Sequence, residues 1–214
     1  MLLTLIFIPM PDIAFKTIKP KILYFGTPVA LITTIDEFGR PNIGPMSSVW
    51  ALGYKLVLGL GCDGKTFSNL INQKECVVNI PSINLHQNIE SIARLTGANP
   101  VPEDKKNLYR YESDKFTAGK FSAIEAQVVK PPAIAECPIQ LEAVLEQYSI
   151  IDFDPDGSPD VAAVTVKVVN VRVHENLVTG TGHINPDHWS PLIYNFRHYY
   201  GLGKALGKNF KAEL

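Results

Sequence analysis

The string Gly59-Leu60-Gly61-Cys62-Asp63-Gly64-Lys65-Thr66 satisfies the pattern G-x4-G-K-[ST], in which glycine backbone cradles phosphates and a lysine and a hydroxyl complete the site. It follows the extended run 55–60 (KLVLGL) and opens the segment 66–72, where Phe67, Leu70 and Ile71 fall on one helical face. Taken alone, this is a triphosphate site. Asp63 argues against that, because its carboxylate would sit inside a loop meant for a highly negative ligand. The helix is short, and the one run resembling the metal-binding partner strand, Ser149-Ile150-Ile151-Asp152, is poorly apolar. A P-loop nucleotide triphosphatase therefore stays only as the alternative from a different class. A single phosphate suits the same residues better, since Lys65 supplies a cation, Thr66 a hydroxyl and the helix N-terminus free N–H groups. The plain structural reading is Thr66 as a helix N-cap with Asn69 three residues on.

A second group lies just upstream. The segment 42–50 (NIGPMSSVW) is strand-like but carries Pro45 in its middle, which is tolerated where a strand is at an edge or leaves regular pairing. Ser47 and Ser48 add hydroxyls and Trp50 a flat aromatic surface, so polar groups stand beside an apolar wall, as a flavin ring with its polar edge requires. An edge strand with a packed Trp is the plain reading. Late in the chain, His183 follows Gly180-Thr181-Gly182 and is the candidate for a contact with substrate, although a lone His is more often a packing or surface residue. Neither His188 and His198 nor Cys62, Cys76 and Cys137 have metal-ligand or disulfide-framework spacing, so no metal is expected.

The elements that must position these residues are mostly short strands. The run 28–34 (PVALITT), the turn Asp36-Glu37-Phe38-Gly39 and the segment 42–50 make a hairpin. Residues 55–60 and 75–80 are further strands. After Pro81, Leu85, Ile89, Ile92 and Ala93 recur at helical spacing up to a stop at Gly97, and Pro102-Glu103-Asp104 opens a second helical stretch to Lys120 without a clear core face. Residues 139–145 alternate like a strand but would also line a helix. Val164, Val166 and Val168 alternate in one phase and Val169, Val171 and Val173 in the other, which predicts a bulge or bend near Val168. Residues 178–184 close a second hairpin. The fold class is mainly β: an antiparallel barrel or sandwich with helical excursions, in one domain over 1–214.

With 20 basic and 21 acidic residues in 214, the chain lacks the basic footprint of a nucleic-acid binder or a membrane-surface protein. Residues 2–10 are apolar, but they lack a basic leader, are interrupted by Pro9, and are too short for a span of roughly 20 residues. A cytoplasmic protein with an N-terminal arm over 1–21 is expected.

The ordered set PVALITTIDEFGRPNIGPMSSVWALG, GKTFSNL, ECVVNIPS and PLIYNFRHYYGLGK resembles the flavin reductase-like, FMN-binding split-barrel family, from about Ile22 to Lys204. The resemblance implies a split β-barrel of Greek-key type with a helical insertion over 82–120. It places Pro45, Met46, Ser47, Ser48, Val49 and Trp50 along the isoalloxazine and ribityl chain of FMN, and Lys65, Thr66 and Asn69 near its phosphate. It also implies a homodimer that passes hydride from NADH or NADPH to the flavin. The flavin is either kept or released, once reduced, to a separate oxygenase component; FMN binding without free-flavin reductase activity is the alternative. Such a transfer needs stacking and orientation more than an acid or base, so no catalytic side chain is assigned. His183, Arg197 and Tyr200 are the expected substrate-side contacts.

Overall fold

The computed structural model describes residues 14–180 and 182–210. The apolar run 2–10 and Thr181 lie outside the described residues, and of the expected arm only 14–21 is described, exposed and without regular structure. No helix among the described residues is long and apolar enough to cross a membrane.

The run PVALITT owes its unbroken apolar character to burial on both faces. Strand β1 (Ala30–Ile35) turns Ala30 and Ile32 into one core while Leu31, with Val29 just ahead of the strand, enters another on its opposite face. A turn returns the chain as β2 (Pro41–Met46), paired antiparallel with β1. Asp36 fixes that turn by accepting the Phe38 and Arg40 N–H groups at 3.0 and 2.9 Å, and Gly39 adopts φ +76°, which a glycine reaches without steric cost.

The single strand expected over 42–50 is two strands. β2 ends at Met46 and β3 (Val49–Leu52) begins after Ser47 and Ser48. β4 (Lys55–Gly61), β5 (Glu75–Ile80), β6 (Ile139–Phe153) and β7 (Pro159–Val173) complete one antiparallel sheet in the order β2-β1-β5-β6-β7-β4-β3. The consecutive strands β2 and β3 thus form its two opposite edges. One face of this sheet curls around a single core that takes Ile32, Val49, Leu58, Val78, Ala143 and Val164 from six different strands, so the sheet is a barrel and Ser47-Ser48 bridges its seam. Helix α1 (Lys65–Gln73) carries the chain from β4 near one edge to β5 near the other, a crossover of the Greek-key kind, and plugs the barrel with Leu70.

The ambiguous stretch 139–145 is strand, and the expected bulge is present: Glu142 pairs with Asn170 but Ala143 with Val168, leaving Val169 extra. That residue restores Val171 and Val173 to the face that carries Val164, Val166 and Val168.

The excursion over 82–120 departs from expectation. It holds a 3-10 turn (Ile83–Leu85), α2 (His86–Ile92), a second 3-10 turn (Glu103–Lys105) and α3 (Lys115–Gly119), but most of 97–114 is irregular, with Leu95–Thr96 and Arg110–Tyr111 pairing as short parallel strands. Nor is the stretch 102–120 without a core face, since Phe116 joins the apolar residues of the preceding helix. Ile89, Ile92, Leu95, Phe116 and the following Phe121 pack on Leu31 and Ile43, the outer face of β1 and β2. Helical periodicity could not show this because α3 is only five residues long and Asp114 caps it, accepting the Thr117 N–H at 3.0 Å.

Candidate functional site

The seam is where polar backbone and hydroxyls gather. Ser48 accepts the Gly59 N–H through its carbonyl at 2.8 Å, and its Oγ lies 2.7 Å from the Tyr24 hydroxyl. Above it opens a cavity of about 470 Å³. Gly44, Pro45, Met46, Ser47 and Ser48 form one wall and Gly59 to Gly61 of β4 the floor, while Gly64, Thr66 and Phe67 stand at one end and Tyr24 and Tyr194 also line it. Two glycines let these parts approach: a Cβ on Gly44 would fall 2.2 Å from Thr66 Oγ1, and one on Gly59 would fall 2.8 Å from Ser48 Cβ.

The first turn of α1 opens onto the same space. Gly64 is its N-cap, in extended conformation, with no side-chain cap and no acidic residue in the first turn. The leading N–H groups of a helix have no intrahelical partner, so this end presents free donors and a partial positive charge. Thr66 is therefore not the cap: it lies inside the helix and its Oγ1 accepts from Asn42 Nδ2 at 3.0 Å. The four residues Gly61 to Gly64 make a tight turn, closed by Gly64 N–H to the Gly61 carbonyl at 3.1 Å, after an antiparallel strand. This is not the long phosphate-wrapping loop that follows a parallel strand, and the G-x4-G-K match loses its structural context.

A smaller cavity of about 160 Å³ adjoins the first, sharing Gly44, Pro45, Gly64, Thr66, Lys105 and Tyr109. Lys65, Lys105 and Lys115 line it and, among the described residues, no carboxylate does. Lys65 Nζ is 3.8 Å from Asp36 Oδ2, and Lys105 pairs with Asp63. Lys115 is different: it is buried, its Nζ donates to the Ile43 carbonyl at 2.9 Å, and burial pulls its pKa down to about 8. Among the described residues no carboxylate pairs with it in an ion pair. For Asp36, burial raises the carboxyl, but hydrogen bonds and charge from Arg40 outweigh that and hold it below its ordinary value.

The sequence-predicted residues divide. Pro45, Met46, Ser47, Ser48 and Thr66 line the main cavity and Lys65 the smaller one. Val49 points into the barrel core and Trp50, next along the strand, points outward at 58% exposure, as the alternation of a strand requires. Asn69 is buried between α1 and β1, its amide donating to Thr34 Oγ1 at 3.2 Å. His183 sits in the exposed two-residue pairing of 178–179 with 183–184. Arg197 lies at the tip of the hairpin that joins Ile193–Asn195 to His198–Tyr200, where Phe196 and Arg197 both take positive φ (43° and 71°). It lines a separate depression with His86, Glu90 and Tyr199, and Tyr200 is exposed. The residue of this hairpin that reaches the main cavity is Tyr194, which the sequence reading passed over with Tyr24, Lys105, Tyr109 and Lys115.

Three comparisons with known proteins bear on the family and the fold. A family model described as flavin reductase like domain matches residues 22–203. The chain is 42% identical over 200 residues to YdfE of Bacillus subtilis (strain 168), covering 93% of this chain and 95% of that protein. Among solved structures, flavoredoxin of Desulfovibrio vulgaris (Miyazaki F) superposes with a TM-score of 0.75 at 20% identity, covering 93% of this chain and 99% of its own. Nitrilotriacetate monooxygenase component B from Bacillus cereus gives 0.73 at 22% identity, covering 92% and 100%. A Shewanella frigidimarina NCIMB 400 protein described as having a split barrel domain gives 0.67 at 19% identity, covering 87% of each chain. At these identities the solved structures establish the fold, a split barrel.

Proposed function

Since this chain belongs to the flavin reductase-like domain family, we propose that it is an FMN-dependent oxidoreductase that takes hydride from NADH or NADPH, with barrel and excursion acting as one domain. The observation that carries the reading is the continuity of two unlike spaces: a cavity with a polar seam along one wall opens directly onto a lysine-lined pocket at a helix N-terminus. A flavin mononucleotide has that same order of parts, a flat ring with a polar edge at one end and a phosphate at the other.

The residues fit the group. Pro45, Met46, Ser47 and Ser48 would hold the ring and its side chain, and the glycines at 44 and 59 allow Thr66 and Ser48 an approach that a Cβ would block. Lys65, Thr66 and the free N–H groups of α1 would hold the phosphate. Bound flavin would supply the two-electron carrier. The chain's part is to orient it and to shield one side, because hydride transfer depends on alignment more than on a proton donor. Trp50, Leu52 and Tyr54, at 58%, 74% and 71% exposure, form an apolar ridge on the β3–β4 hairpin, which favours the homodimer reading. The likeness to a monooxygenase component B favours a separate oxygenase as the consumer of reduced flavin. A cytoplasmic setting follows from the use of NADH or NADPH.

The test is an absorbance spectrum of the purified protein with FMN, then with NADH or NADPH, without oxygen. A bound-flavin spectrum that bleaches with a pyridine nucleotide is expected. Bound flavin that does not bleach would leave a flavin carrier without nicotinamide chemistry, and no flavin binding would overturn the reading.

A further inference from the structure

Lys115 is hard to account for as a packing residue. It comes from α3, the shortest helix of the excursion, yet its Nζ is carried inward to the wall of β2, where it donates to the Ile43 carbonyl at 2.9 Å and lines the small cavity. A buried ammonium costs stability unless something negative faces it. The charged and titratable groups around that cavity are Lys65 from α1, Lys105 and Tyr109 from the excursion, and Lys115 itself. Two of these lysines have an acid of their own, Asp36 lying 3.8 Å from Lys65 and Asp63 pairing with Lys105, while Asp114 accepts the Thr117 N–H. Three lysines converge on about 160 Å³ that no carboxylate lines among the described residues, and Lys115 is the one of them that forms no ion pair there. A pocket of that size and charge suits a phosphate-sized anion rather than a ring.

We propose that Lys115 and Lys105 are phosphate-binding residues, so that discrimination between phosphorylated and unphosphorylated flavin resides in the 82–120 excursion more than in the barrel. The barrel supplies the open half of the anion site, through Lys65, Thr66 and the end of α1; the excursion closes it from the opposite side. The inference rests on the reading above only for the identity of the group that bears the phosphate. Lysine 115 also sets a pH dependence. Its pKa near 8 in the empty site must rise when a dianion is bound, so anion binding takes up a proton above pH 8 and weakens as pH rises, by up to about tenfold per pH unit.

The test compares FMN, riboflavin and inorganic phosphate on the full chain and on Lys115→Met, Lys115→Arg and Lys105→Ala. Flavin binding is read by fluorescence titration and phosphate binding by thermal shift. Lys115→Met is expected to weaken FMN about tenfold or more, as loss of a charge-assisted hydrogen bond does, with riboflavin changed less than about twofold on the same basis. Inorganic phosphate should raise the melting temperature of the parent and not of Lys115→Met. Lys115→Arg, which cannot deprotonate in this range, should remove the decline of FMN affinity above pH 8. An unchanged ratio of FMN to riboflavin affinity in folded Lys115→Met overturns the proposal. If that variant does not fold, Lys105→Ala decides in the same way, because its side chain is partly exposed and outside both cores. Phosphate stabilisation without any flavin binding would uphold the anion site while refuting the flavin reading; binding of neither would refute both.

Discussion

The barrel and the excursion build the two halves of one cleft by opposite means. The barrel half is made of regular strands, close glycine contacts and backbone groups at a seam; its polarity is mainly that of amides and hydroxyls, with Lys65 at the start of α1 as its ammonium group. The excursion half is irregular, held by a few apolar side chains on the outer face of β1 and β2, and its polarity is that of ammonium groups. A scaffold of long-range strand pairing resists local change, whereas a segment anchored through Ile89, Ile92, Leu95 and Phe116 can open with a smaller loss of buried surface. On the proposed reading, shape recognition falls to the rigid part and most of the charge recognition to the part that can yield.

This contrast can be broken at several points. The largest effect is expected in the barrel core, where Leu58 is fully buried: Leu58→Ala should cost about 2–5 kcal/mol in denaturant unfolding, and protection of strand amides throughout the sheet should fall together. Ile92→Ala, equally buried, should produce its faster amide exchange chiefly in 82–120; a sheet-wide response would show that excursion and barrel unfold as one unit. Next comes Gly44→Ala. A methyl group there must push Thr66 and the start of α1 away from β2, costing about 1–3 kcal/mol and abolishing flavin binding, because both cavities share that wall. Lys65→Ala combined with Thr66→Ala should weaken FMN by roughly 10- to 100-fold with little change in melting temperature; equal loss of both would remove the phosphate assignment from α1.

The smallest effect is a matter of pH. Glu142 lies buried on the outer face of β6, where burial raises its carboxyl but hydrogen bonds from the Gln127 and Val128 N–H groups and from Asn170 outweigh that and leave it lowered. A carboxyl lowered by folding contributes stability that is present above its unfolded pKa and is lost as pH falls through its folded value. Glu142→Gln should therefore flatten the decline of melting temperature in acid. Lys115 shifts stability in the same direction but in the alkaline range: with no anion bound, its buried charge costs stability below pH 8, and that cost is relieved as pH rises toward the pKa of a free lysine.

The same division explains what the sequence could tell. PVALITT, the Asp36 to Gly39 turn, the alternation that reverses at Val168 and the Pro45 and Ser47-Ser48 pattern are local signals, and each corresponds to a strand, turn, bulge or seam. The break between Met46 and Val49 was not legible, because one extended run became two edges of one sheet only through barrel closure. Val49 and Trp50 followed from that break, since strand β3 turns the first into the core and the second outward. Asn69 falls one helical turn beyond Thr66 yet is drawn under α1 by Thr34, a residue 35 positions away. Lys105 and Lys115 carried no signal at all. Their neighbours in sequence are charged and polar like any solvated segment, and only the fold of the excursion turns them toward α1.

The seam has a further meaning for how the chain folds. Bringing β2 and β3 to opposite borders of one sheet means that Ser47-Ser48 cannot reach its final place until the intervening strands, recruited from as far away as residue 173, have assembled. Closure there has a high loop entropy and belongs to the late part of assembly. A molecule seated across it acts as a clasp on an otherwise open hoop. In hydrogen exchange its footprint should then extend along β2 and β3 beyond the atoms it touches.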